Sequence, residues 1–326
     1  MKRFVKGLCL IAVVALIATS CKKKDNNGIV YRGGTETFET EMAPGLDRIY
    51  IDDTYRVLFE AGDYVTLFNI SDSNPSESEA AVYKVVADGY EADFEPNQPG
   101  VEISEQIKDA KYAFYPGIGN VDVDDLANEN RATFKLDIVQ NYREVNGKAV
   151  IGKNALYMAA KLDNPANNYY AFRNICGVLV MNFYSPSGKA VKSIKLTDKA
   201  VTLTGDVTLK VNKVDPAQMQ TLFRNYDMTD PSYVAQLNEY KNEVGYSVDH
   251  SGKELTLSFE EFGNKTLGTT AADASTFYFV LRPLALMQGF DMEITFSDNT
   301  TKTISTTRDN KIKPNTLRMF PALSVD

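Results

Sequence analysis

The chain has 326 residues, enough for one large domain or two ordinary ones. Hydrophobic residues make up 44% of it and charged residues 24%, the balance of a packed protein, and this composition excludes wholesale disorder. Its formal net charge of -8 repels polyanions and argues against nucleic-acid binding. One histidine and three cysteines are too few to favour a zinc site, a histidine-based triad or a disulfide framework.

The first twenty residues have the pattern of an export signal. Lys2, Arg3 and Lys6 form a basic leader, and residues 7–20 are apolar or small and uncharged. As a helix this uncharged run spans roughly 21 Å, less than the ~30 Å hydrocarbon core of a bilayer. We therefore interpret residues 1–20 as a signal peptide.

The signal ends at Ile17-Ala18-Thr19-Ser20-Cys21, which resembles a bacterial lipobox. In that interpretation Cys21 is acylated and becomes the first residue of an outer-membrane lipoprotein. Several acyl chains on one residue would anchor the protein durably in the membrane. The alternative is an ordinary signal peptide that ends near a cysteine. Residues 21–34, in which Lys22-Lys23-Lys24 follows Cys21, are predicted to be a lipidated tether.

From about Val30 onward, short runs rich in Val, Ile, Thr, Tyr and Phe are broken by Gly, Pro, Asn and Asp, which is typical of strands. Residues 55–69 alternate around a Gly62-Asp63 turn and predict two strands. Further predicted strands cover residues 81–87, 112–115, 132–138, 177–184, 193–196, 207–211, 254–259, 277–281, 291–296, 301–305 and 317–323. So many short strands favour antiparallel sandwiches.

Two segments predict helix instead. Asp215-Pro216 opens one, and Asp230-Pro231 opens the other, each with Asp at the N-cap and Pro at the first helical position. In the second, Tyr233, Leu237, Tyr240 and Val244 follow one helical face. Residues 214–246 are therefore predicted as a helical insertion.

The sequence predicts a domain boundary in Ser185-Pro186-Ser187-Gly188, with an N-terminal β-sandwich over residues 35–186 and a C-terminal one over 187–326 that carries the insertion. The same turn is equally compatible with a hairpin inside one domain. Cys176 lies in an apolar run, so we predict a buried, unreactive thiol.

Several motifs follow one another in a recognisable order: Phe59-Glu60-Ala61-Gly62-Asp63-Tyr64-Val65, then residues 113–116, 170–179, 193–196 with 203–206, 277–283 and 312–315. Together they resemble the fimbrillin-like proteins of Bacteroidales, with Phe59 at that family's usual tryptophan position. The resemblance runs from about Ile49 to the end of the sequence. The chain departs from the family in lacking tryptophan and in carrying the insertion.

The resemblance implies two transthyretin-like antiparallel sandwiches and a lipoprotein that is a fimbrial subunit or cell-surface adhesin. The residues themselves predict no catalytic residue, metal or cofactor. The resemblance also implies assembly with other fimbrial subunits. A protease cuts after an N-terminal arginine, and a strand from another subunit fills the groove left by the removed strand. The candidate arginines are Arg48 and Arg32, and the alternative for each is a surface arginine at a strand end.

Two further functions are open to the same sequence. A glycan-binding surface lipoprotein of a polysaccharide-uptake system would use tyrosines as stacking platforms, although such binders usually recruit tryptophan. A hydrolase would need paired carboxylates, for which Asp122 and Asp124 are the nearest candidates, but solvated loop acids are the commoner explanation.

Overall fold

The computed structural model describes residues 31–42, 57–69, 79–96, 107, 110–117, 131–145, 147–152, 155–164, 168–199, 202–210, 213–214, 218, 222, 227, 229–282 and 286–326. Within them the chain forms twenty-two β-strands and one α-helix longer than a turn. This confirms the predicted all-β class.

The strands of the first half, in chain order, are β1 Tyr31–Thr35, β2 Glu39–Met42, β3 Tyr64–Asn69, β4 Glu79–Val85, β5 Glu91–Pro96, β6 Tyr112–Tyr115, β7 Arg131–Leu136, β8 Val139–Asn141, β9 Arg143–Val145, β10 Lys148–Val150, β11 Met158–Asn164, β12 Tyr169–Asn174 and β13 Gly177–Tyr184. The second half holds β14 Ala190–Asp198, β15 Thr204–Lys210, helix α1 Pro231–Glu243, β16 Ser247–Gly252, β17 Glu254–Ser258, β18 Lys265–Thr266, β19 Ser275–Leu281, β20 Leu286–Phe296, β21 Thr301–Lys311 and β22 Thr316–Ser324.

Seven strands close into a barrel in the order β1-β12-β11-β6-β3-β4-β5, with β1 sealing the ring between β5 and β12. Its interior is aromatic. Phe59 has no exposed surface and meets Phe94, Tyr115 and Phe172, with ring centroids 5.8, 5.7 and 5.5 Å away. The motif residue at the usual tryptophan position therefore fills the barrel core.

The other large sheets pack face to face beside the barrel. One has the order β19-β13-β22-β2, and the other β21-β20-β14-β17-β8, with β18 paired to β14. Strand β13 lies between two cores: Val178 and Val180 pack with the barrel, whereas Leu179, Met181 and Phe183 pack with the second sheet. This two-sided burial explains why the strand is apolar on both faces.

Most predicted strands are present, and 112–115 and 177–184 have the predicted bounds. The purely antiparallel prediction is wrong. β1 runs parallel to β12, β2 and β13 run parallel to β22, and β8 runs parallel to β17. The strand predicted before the Gly62 turn is reduced, among described residues, to a single bridge between Phe59 and Gly89.

The second predicted helix is confirmed as α1. Asp230 caps it by accepting a hydrogen bond from the Ser232 amide at 2.8 Å, and Pro231 occupies its first turn. Its buried face joins the barrel-side core rather than the core of the C-terminal sheets. Most of the first predicted helix, residues 215–226, lies outside the described residues.

Strand pairing crosses the predicted domain boundary between residues 186 and 187 in several places. β7 pairs with β15, β8 with β17, and β13 with β19 and β22. The two-sandwich division stays a prediction. In the part of the chain that is described, no helix combines the length and the apolarity needed to cross a membrane.

Candidate functional site: the seat of the N-terminal strands

The N-terminal segment 31–42 is built into two different sheets. β1 pairs antiparallel with β5, placing Tyr31 opposite Phe94, and parallel with β12, placing Thr35 opposite Phe172. Residues 31–34 were predicted as the end of a flexible tether, and this part of the prediction is wrong. They form a barrel strand because alternate positions, those of Tyr31 and Gly33, face the aromatic core.

Tyr31 fills the first inward position of β1. Its hydroxyl donates to the Ile107 carbonyl at 2.7 Å, and its ring meets Tyr83 edge-on at 5.6 Å. Tyr170 lies alongside, with ring centroids 5.9 Å apart. Burial and the neighbouring Tyr31 raise the pKa of Tyr83 to about 12, so this cluster stays neutral at physiological pH.

Gly33 fills the second inward position, which has no room for a side chain. A Cβ built there would lie 2.6 Å from Phe94 Cζ and 2.7 Å from Phe172 Cε2. At the third position the buried Thr35 hydroxyl donates to the Val57 carbonyl at 2.7 Å. The groove under β1 therefore accepts one large ring, then a glycine, then a small hydroxyl side chain.

The link from β1 to β2 is also fixed. The Glu36 amide donates to the Phe172 carbonyl at 2.8 Å, and the Glu36 carboxylate accepts from Arg173 Nε at 2.6 Å. Asn315 Nδ2 donates to the Thr37 carbonyl at 3.3 Å. Beyond Phe38, β2 runs parallel to β22 at the margin of its sheet.

Two of the sequence motifs meet beside this link. Asn315, in the left-handed region with φ +50, accepts from the Asn174 amide at 3.2 Å and donates its own amide to the Cys176 carbonyl at 3.0 Å. Gly177 allows the approach, since a Cβ there would lie 2.4 Å from the Lys313 carbonyl oxygen. The motifs around 170–179 and 312–315 thus form one structural joint.

The predicted processing and anchoring residues fall in different places. Arg32 is the second residue of β1, and its guanidinium Nε contacts Asp93 Oδ1 at 2.6 Å on the outside of the barrel. Arg48 and Cys21 lie outside the described residues, as do Asp122 and Asp124.

Cys176 is buried and free, as predicted, and burial raises the pKa of its thiol. The single histidine, His250, lies in β16. Among the described residues, no group of three His, Cys, Asp or Glu side chains is placed to hold a metal ion.

Sequence reasoning missed β1 and β2 themselves. The pair Gly33-Gly34 lowers the strand propensity of β1, and β2 is short and acidic. The available signal was the alternation of Tyr31, Gly33 and Thr35, in which glycine occupies an inward position because aromatic rings from neighbouring strands take its space.

No family model matches the sequence, and no curated protein matches it. Several solved structures are similar to it. A candidate cell adhesion protein from Bacteroides uniformis is 13% identical over 82% of this chain and 88% of its own, with a TM-score of 0.44. A candidate cell adhesion protein from Bacteroides ovatus is 10% identical over 90% and 91%, with a TM-score of 0.48.

A fimbrial protein from Bacteroides ovatus is 11% identical, with a TM-score of 0.37, over 91% of this chain and 50% of its own. The structural neighbours are thus candidate adhesion proteins and a fimbrial protein of Bacteroides.

Proposed function

We propose that this chain is a lipid-anchored fimbrial subunit or cell-surface adhesin, with a structural rather than catalytic role, that assembles by strand donation after N-terminal proteolysis. The observation that carries the proposal is the seat of β1. An N-terminal strand of five residues closes a barrel whose other six strands lie later in the chain. Its removal would leave β5 and β12 with unpaired edges on either side of a shaped groove.

An open groove of this kind favours refilling by another strand. Backbone donors and acceptors on β5 and β12 would lose their partners, and an aromatic core would be exposed to water. A donor strand restores both, with main-chain hydrogen bonds giving affinity and alternate side-chain pockets giving specificity. From the groove we expect a donor with a large ring, then glycine, then a small hydroxyl residue at alternate positions.

The geometry favours Arg48 over Arg32 as the processing site. Cleavage after Arg48 would release both β1 and β2, because both strands precede it. Cleavage after Arg32 would have to occur within a strand that is hydrogen-bonded on both sides, and it would leave residues 33–35 in the groove. We therefore assign Arg32 a structural contact with Asp93 and Arg48 the cleavage.

The test is controlled digestion with an arginine-specific protease. We expect the parent chain to yield a fragment that begins at residue 49 and to form SDS-resistant oligomers visible as filaments by electron microscopy. The Arg48→Ala variant should stay intact and monomeric. Arg32→Ala is the matched control and should be cut and assemble like the parent, although it loses the exposed contact with Asp93.

Two results would contradict this proposal. One is assembly of the Arg48→Ala chain at the parental rate, which would separate assembly from that cleavage. The other is a cleaved parent that stays monomeric on its own and also fails to bind a peptide that has the sequence of residues 29–42. A cleaved chain should recapture such a peptide, since the peptide restores the lost strand pairing.

The anchoring part of the proposal concerns Cys21. We expect metabolic labelling with an alkynyl fatty acid to mark the full chain and to be lost in Cys21→Ala. Protease shaving of intact cells should release the protein from the outer surface. Labelling that persists in the variant would remove Cys21 as the lipid attachment site, and protection from shaving would place the chain on an inner leaflet.

A further inference from the structure

A cleft of about 820 Å³ opens where the two hydrophobic cores meet, beneath the hairpin of β9 and β10. Phe38 and Leu156, from the barrel-side core, line one part, and Tyr142, from the other core, lines another. Ligand pockets are ~300–1,000 Å³ in volume and occur preferentially at junctions between packed units. The cleft therefore has the size and position of a small-ligand site.

Charged contacts hold the hairpin over this cleft from both sides. Arg143 Nη1 lies 2.8 Å from Glu60 Oε1 on the barrel side. Lys265 Nζ lies 2.5 Å from Glu144 Oε1 on the side of the second sheet. Because both partners of each contact are at most partly exposed, the hairpin is fixed and the cleft exists before any ligand binds, which reduces the ordering cost of binding.

The lining of the cleft carries more acidic than basic residues, and the ion pairs neutralise part of that acid. Five acidic and three basic residues line it, but Glu60 and Glu144 each face a cation. Asp63 accepts a hydrogen bond from the Tyr115 hydroxyl at 2.8 Å, and Asp88 accepts one from the Ala61 amide at 2.6 Å. Because these two hydrogen bonds come from neutral donors, the lining keeps an excess of acid, which disfavours an anionic ligand and offers carboxylate acceptors to a neutral, hydroxyl-bearing one.

The remaining lining combines rings with apolar side chains. Tyr90 and Tyr278 are partly exposed, and the lining residues Leu58 and Val145 are 48% and 44% exposed. A carboxylate retains further acceptor sites after it has formed one ion pair. Sugar rings have apolar C–H faces that pack on aromatic and aliphatic surfaces, and hydroxyl edges that donate to such carboxylates.

We propose that this cleft binds a short neutral oligosaccharide. The site belongs to the uncleaved chain, because Phe38 lines it and cleavage after Arg48 would release that residue, so it would give a surface protein a ligand before any strand exchange. It is distinct from the groove under β1, which accepts a peptide strand.

The experiment uses the full chain with maltotetraose, cellotetraose and laminaritetraose as probes, measured by saturation-transfer NMR and titration calorimetry. We expect at least one probe to bind with a dissociation constant below about 1 mM. Val145→Lys places a flexible cation at the cleft and should weaken binding at least tenfold. Val139→Lys is the matched control, because Val139 is 43% exposed on β8 and lies outside the lining.

Tyr90→Ala removes an aromatic wall and provides a second variant, with the same expected weakening. The proposal is overturned if none of the three sugars binds, or if Val145→Lys binds as tightly as Val139→Lys. It is also overturned if an amphipathic peptide library binds at the cleft and the sugars do not, which would assign the cleft to a protein partner. Protease-triggered assembly of Val145→Lys should match the parent, which separates this test from that of strand donation.

Discussion

Gly177 begins β13 at the point where the segment leading into β22 crosses it. A Cβ on this residue would lie 2.4 Å from the Lys313 carbonyl oxygen and 2.5 Å from Ile312 Cγ2. The first of these atoms belongs to the main chain, which cannot rotate away as a side chain can. The close approach also brings Asn315 within hydrogen-bonding distance of Asn174 and Cys176. Because glycine has no side chain, position 177 permits this buried, hydrogen-bonded joint.

We therefore expect Gly177→Ala to lower the free energy of unfolding by about 3 kcal/mol, because overpacking against fixed atoms forces a backbone shift. Gly147→Ala is the control. Gly147 has φ +74 and nothing within 4 Å of the added Cβ. Gly147→Ala should therefore lower the free energy of unfolding by only about 1 kcal/mol, the cost of the left-handed backbone conformation for alanine. Urea titration of both variants checks this, and equal losses would show that the Lys313 contact relaxes freely.

At the scale of elements, strands with a continuous or alternating apolar pattern could be predicted from the sequence. Helix α1 could be predicted as well, because its cap, its first-turn proline and its apolar face agree. β1 and β2 could not, because their stability comes from distant strands rather than from their own composition. At the candidate site the sequence predicts N-terminal processing, which stays a prediction, but it does not predict a groove with glycine at its centre.

The N-cap of α1 gives a prediction at the element scale. Asp230→Ala removes the acceptor for the Ser232 amide and should lower the free energy of unfolding by about 1 kcal/mol. Asp230→Ser keeps a capping oxygen and should retain most of that stability. Thermal unfolding and amide hydrogen exchange in the first turn of the helix measure the effect. A serine variant as unstable as the alanine variant would show that the cap is not the cause.

At the scale of the whole molecule, two segments join the barrel to the sheets beside it. The first is residues 31–42, which place β1 in the barrel and β2 beside β22. The second is the β9–β10 hairpin, which contacts Glu60 on one side and Lys265 on the other. If proteolysis releases the first segment, the hairpin stays as a polar connection across the cleft, in addition to strand β13, which is buried between the two cores.

The Glu144 contact makes that connection sensitive to acid. Burial raises the pKa of Glu144, but hydrogen bonds from Lys265 Nζ and the Tyr142 hydroxyl outweigh it and hold the pKa below its ordinary value of 4.5. A carboxyl group whose pKa is lower in the folded state stabilises that state above its unfolded pKa, and this stabilisation is lost as the pH falls through the folded value. We therefore expect the contribution to be complete above about pH 4.5 and to disappear in more acidic solution.

The Glu144–Lys265 pair should contribute on the order of 1 kcal/mol to the free energy of unfolding, since it is only partly shielded from solvent. Urea titrations of the parent, Glu144→Gln, Lys265→Met and the double variant at pH 7 and pH 3.5 measure it. At pH 7 the two single losses should be less than additive in the double variant, because each removes the same contact. At pH 3.5 Glu144→Gln should approach the parent in stability. Two results would mean that the pair does not join the two cores. One is single-variant losses of stability that add in the double variant at pH 7, and the other is a difference between Glu144→Gln and the parent that is as large at pH 3.5 as at pH 7.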